Sequence, residues 1–145
     1  MTIERVLFVS KHAAESNTPW ADWAVISITD FDGYGQADIK KGWHSVLCIA
    51  FHDVDPAVST EEHGDVEMTI DHARQIVEFV RSLSSEVNGV LVHCNAGVSR
   101  SAAVAKWIAG EFRIPFDGRY DKFNRHVYGL LIEAGRRSYD LHLKD

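Results

Sequence analysis

Short runs of apolar residues recur along the chain at residues 5–9, 24–28, 46–51 and 90–92. Each is mostly apolar throughout, rather than alternating, which is the pattern of strands buried on both faces of a parallel sheet. The period changes between the third and fourth runs. Ile70, Ala73, Val77, Val80 and Leu83 fall near helical spacing with Asp71, Arg74, Glu78 and Arg81 between them. This predicts a helix over 67–83 with Asp65 as its N-cap. Residues 101–109 are rich in helix formers and predict a second helix, stopped by Pro115. Phe123, Val127, Leu130, Leu131 and Ala134 mark the inward face of a last helix over 120–136. Strands alternating with helices predict an α/β fold: a central, mostly parallel sheet of four to five strands with helices on both faces. The 145 residues show no repeat, linker or low-complexity tract and are read as one domain, 1–145.

The fourth run leads into the chemistry. After the turn signal Asn88-Gly89, the strand runs into His93 and Cys94, then the loop Asn95-Ala96-Gly97-Val98-Ser99, then Arg100 and Ser101 at a helix start. Amides in such a loop and in the first helical turn have no intrahelical partner, and with the helix dipole they favour a bound anion. Gly97 lets the backbone turn tightly and approach the ligand. Arg100 can hold two oxygens of a phosphoryl group with its planar fork. The same surroundings favour the thiolate of Cys94. Ser101 can donate a hydrogen bond to that sulfur. His93 is expected to brace the loop, since an ionised thiol needs no base.

The order His93-Cys94-x-x-Gly97-x-x-Arg100-Ser101 resembles the signature loop of cysteine-dependent protein tyrosine phosphatases, and most of all the dual-specificity branch with its small bacterial members. The resemblance is strongest over residues 90–105. It implies a phosphatase-like α/β fold, with Cys94 as nucleophile and Arg100 as phosphate ligand. Asn95, Ala96, Gly97, Val98 and Ser99 would complete the phosphate cradle with Arg100. It further implies an aspartate upstream that protonates the leaving group and later deprotonates water. Asp53, Asp55 and Asp65 are the candidates. The family places its acid at or just after the third strand's end, which favours Asp53, with Asp55 the alternative. The spacing to Cys94 fits Asp65 better. The reaction implied is metal-independent hydrolysis of phosphotyrosine, and also of phosphoserine or phosphothreonine, through a phosphocysteine, with no cofactor. The expected partner is a phosphorylated protein or peptide. The alternative is a phosphoresidue-binding module that keeps the cradle without turnover.

Charge and cysteine usage refine this reading. The formal net charge of −6 disfavours nucleic-acid binding, and the loop carries no cation besides Arg100 to suit a polyphosphate substrate. The first residues lack a signal peptide's apolar core and no stretch is long enough to span a membrane, so a cytoplasmic monomer with reduced thiols is expected. Cys48 is expected as a small core residue, with a Cys48–Cys94 bridge the alternative. The eight histidines show no metal-ligand spacing, so no metal site is expected. Trp20 and Trp23 are candidates to flank the pocket.

Overall fold

The computed structural model describes residues 2–30, 36–55 and 66–143, with side chains to residue 137. Four strands form the sheet: β1 (Arg5–Ser10), β2 (Trp23–Thr29), β3 (Ser45–Ala50) and β4 (Gly89–Cys94). The helices are α1 (Lys11–Ser16), α2 (Ile70–Ser82), α3 (Arg100–Phe112) and α4 (Arg125–Leu143). All strand pairs are parallel, in the order β1-β4-β2-β3. The fold is therefore the α/β class that the periodicity predicts, with four strands.

Burial on both faces holds for the two central strands and fails for the edges. Every residue of β4 is buried, and β2 is buried from Trp23 to Ile28. In β3 exposure alternates, leaving Val46 and Cys48 exposed. Cys48 is thus not a core residue: an edge strand has a neighbour on one side only, and its outward positions meet solvent. Nor can it bridge to Cys94. With β2 lying between β3 and β4, the two chains are about 9.5 Å apart, whereas a disulfide joins Cα atoms about 4.4–6.8 Å apart.

The faces are covered unequally. Ala24, Ile26, Ile28, Val90 and Val92 face a large core built with α2, α3 and α4. The opposite face carries Trp23, Val25 and Leu91, covered by Ala14 of α1 and by Trp43 and Ile39. Helix α1 lies outside the predicted elements. It spans only six residues, and it starts because the Ser10 side chain accepts from the Ala13 amide.

The helix boundaries differ from the periodic pattern for a stated reason, capping. Helix α2 begins at Ile70 because Thr69 is its N-cap, in a reciprocal capping box with His72. Asp65, the expected cap, lies outside the described residues and is not the cap. Helix α4 begins at Arg125, not near Tyr120, because the Asn124 side chain accepts from the Val127 amide and Asn124 O from the Tyr128 amide.

Candidate active site

The site stands at the carboxyl ends of the strands, where open α/β sheets bind ligands. Cys94 ends β4 and pairs with Ser10 at the end of β1. The loop that follows is pinned from below by that junction. The Lys11 amide donates to Asn95 O at 3.1 Å. Gly97 has φ +74°, and a Cβ there would lie 2.4 Å from both Ser10 N and Val9 C. Only a residue without a side chain fits between the loop and β1.

His93 is fully buried beneath the loop. Its Nδ1 lies 3.2 Å from Cys94 O, which can only accept, so Nδ1 carries the proton. Nε2 then accepts from the Ser27 hydroxyl at 2.6 Å. Burial lowers the His93 pKa and so favours the neutral ring, despite the opposing backbone bond to Cys94. The imidazole thus links β4 to Ser27 of β2.

Cys94 is 3% exposed. Burial pushes its thiol pKa up, but this is outweighed by the Ser101 hydroxyl, the Ser101 and Gly97 amides and the Arg100 charge. The net result is a thiol that ionises below its ordinary range. The Ser101 hydroxyl is 3.1 Å from Sγ. Replacing Ser101 by Ala is expected to move the midpoint of Cys94 alkylation by iodoacetamide to higher pH. An unchanged midpoint would remove Ser101 from the account.

Arg100 is buried at the start of α3, and its Nη1 donates to Asp30 Oδ1 and to Phe51 O, both at 2.7 Å. Two strand ends, those of β2 and β3, thus hold one corner of the guanidinium. Its Nε has no hydrogen-bond partner among the described residues. A buried N–H left without an acceptor costs about 1–3 kcal/mol. Asp30 carries no motif. Its one sequence signal is its position just past a strand's carboxyl end.

Of the three candidate acids, Asp53 meets the loop. Its Oδ1 accepts from the Ser99 hydroxyl and from Asn124 Nδ2, each at 2.8 Å. Asp55 lines the same groove, of about 370 Å³, with Ser99 and Phe123. Asp65 lies outside the described residues. Tyr120 Oη donates to Val98 O at 2.5 Å and stacks edge-on against Phe8, adding an aromatic side to the loop. Burial raises the Tyr120 pKa, as do the charges of Cys94 and Asp121. Trp20 and Trp23 do not flank the site. Trp23 pairs with Gly89 at the opposite end of β4, about 17 Å along the strand from Cys94, and Trp20 packs on it. A further cavity of about 480 Å³, lined by Arg81, Trp107, Glu111 and Tyr128, contains none of the candidate residues. Among the described residues no three His, Cys, Asp or Glu side chains gather as metal ligands. No helix is long and apolar enough to cross a membrane among them.

The fold recurs in solved structures. Human DUSP28 superposes with a TM-score of 0.55 over 94% of both chains, at 15% identity. The human tyrosine phosphatase-like serine/threonine/tyrosine-interacting protein superposes with a TM-score of 0.53 over 83% of this chain and 80% of its own, at 21% identity. The fold is that of the dual-specificity phosphatases. No protein-family model and no curated protein sequence matches the chain, so the likeness is one of fold. In the dual-specificity phosphatase fold of this chain, Cys94, Arg100 and Asp53 stand around one loop although 41 residues separate Asp53 from Cys94 in the sequence.

Proposed function

We propose that the protein is a metal-independent, cysteine-dependent phosphatase acting on phosphotyrosine, and also on phosphoserine or phosphothreonine, in proteins or peptides. The observation that carries this reading is the paired state of Cys94 and Arg100. The thiol's pKa is lowered, and beside it a buried arginine has one corner fixed while its Nε has no partner among the described residues. A phosphoryl oxygen accepting from Nε would satisfy that donor.

In this mechanism the Cys94 thiolate attacks phosphorus and the bond to the leaving oxygen breaks. Arg100 and the amides of residues 95–100 take up the charge on the phosphoryl oxygens. Asp53 gives its proton to the leaving oxygen. The resulting carboxylate then takes a proton from water. The hydroxyl oxygen attacks phosphorus, the S–P bond breaks, and thiolate and inorganic phosphate are released.

The test is steady-state release of phosphate from a phosphotyrosine peptide. Asp53→Asn is expected to slow it by about 10²-fold or more, the usual contribution of a general acid. Turnover at the wild-type rate would exclude Asp53. A single burst of product without steady turnover would favour the second reading, a phosphoresidue-binding module. The likeness to a protein named as phosphatase-like keeps that reading open.

A further inference from the structure

Asn124 belongs to no motif, yet it has the most connected side chain near the site. It is 6% exposed. One hydrogen of its Nδ2 goes to Asp53 Oδ1 at 2.8 Å and the other to Val54 O at 3.1 Å. Its Oδ1 accepts from the Val127 amide at 3.0 Å, and its own amide donates to Ser99 O at 3.1 Å. The orientation of the side-chain amide is fixed by this network. Flipped, its oxygen would face a carboxylate and a carbonyl, with no donor between them.

Ser99 supplies an independent sign. It occupies the N-cap position of α3 but makes no capping bond. A serine there ordinarily stabilises its helix by about 1 kcal/mol. Its hydroxyl instead donates to Asp53 Oδ1. Two donors from two helix starts therefore converge on one carboxylate oxygen, and among the described residues Oδ2 takes no hydrogen bond.

We infer that Asn124 is a positioning residue: together with Ser99 it clamps Oδ1 of Asp53, so that Oδ2 is the oxygen that holds and delivers the proton. This rests on the reading of Asp53 as the proton donor. A proton on Oδ1 would confront an Nδ2 hydrogen that cannot turn away, so the proton resides on the other oxygen. The clamp also ties the acid's loop to the phosphate loop through Ser99, which fixes the distance between proton donor and phosphorus.

The experiment compares two substrates. Phenyl phosphate loses a poor leaving group and needs a proton, whereas 2,4-dinitrophenyl phosphate departs without one. Asn124→Ser retains an N-cap for α4 but is too short to reach Asp53. It is expected to lower kcat on phenyl phosphate by about 10–100-fold and on the dinitrophenyl ester by about threefold at most. Ser99→Ala is expected to show the same selectivity with a smaller loss, restored in Ser99→Thr, which keeps the hydroxyl. Asp53→Asn serves as reference. If Asp53→Asn is selective while Asn124→Ser and Ser99→Ala slow both esters equally or neither, the clamp is overturned and the acid stands. If Asp53→Asn slows both equally, the acid assignment falls and the clamp with it. If the wild type cleaves neither ester, the phosphatase reading itself is overturned.

Discussion

Cys94→Ser is expected to abolish turnover of p-nitrophenyl phosphate, with a loss on the order of 10⁶-fold in kcat, as for removal of a nucleophile elsewhere. The size follows from the way the site works. The Ser101 hydroxyl, two amides and a guanidinium together lower the pKa of the thiol, and they cannot bring an alcohol, whose own pKa is far higher, to the same reactivity. The anion cradle is untouched by the change, so inorganic phosphate should bind Cys94→Ser within a few-fold of wild type, measured by calorimetry. Retained turnover would overturn the mechanism. The substitution should also alter the pH dependence of stability. A thiol whose pKa is depressed on folding adds no stability below its folded pKa. Its contribution grows as pH rises through the window up to the unfolded value, is full above that, and is lost again as pH falls. Cys94→Ser should lack that slope in urea unfolding measured across the same window.

Arg100→Lys should cost less than loss of the nucleophile but still a large part of the rate, although the charge is kept. One guanidinium corner meets Asp30 and Phe51 O while Nε has no partner among the described residues. An ammonium is a point donor and cannot serve a carboxylate, a carbonyl and two phosphoryl oxygens from one place. Loss of transition-state donors of this kind costs about 10²–10³ in kcat. The buried Phe51 carbonyl, left unmet, costs about 1–3 kcal/mol of stability besides. Parallel measurement of kcat/KM and of the melting temperature separates the two effects. Wild-type values of both would show that the fork geometry has no role.

The sequence made the centre of this site readable and its surroundings much less so. A loop of fixed spacing between a strand and a helix carries its own geometry, so Cys94, Gly97, Arg100 and Ser101 were identifiable from their order alone. The groups that position them come from elsewhere. Asp30, just after β2, meets Arg100, and Ser27, within β2, meets His93, because the sheet order β1-β4-β2-β3 sets β2 beside β4; Asn124, just before α4, meets Ser99 and Asp53. Sheet order is not visible in local periodicity. Asn124 did carry a signal, as an asparagine directly before an amphipathic helix, but a helix drawn from Tyr120 hides a cap at 124. The edge strands differ from their periodic pattern for a related reason. An apolar run says that a strand has two good faces, not that both are covered: in β3 Leu47 and Ile49 meet the core while Val46 and Cys48 lie on the exposed face. Helix α1 has six residues and little amphipathic period; it exists because Ser10 caps it at the point where β1 ends.

The place of β4 gives the reactive thiol a history. β4 is the last strand in chain order, but it lies between β1 and β2, the first two strands. The sheet cannot close at its centre until β4 has been made and inserted. Every group that lowers the Cys94 pKa sits on or just after that strand, and the junction that shapes the loop is the end of β1. During synthesis, then, Cys94 is an ordinary thiol, slow to react with oxidants or electrophiles. Its reactivity is switched on by the same event that closes the sheet.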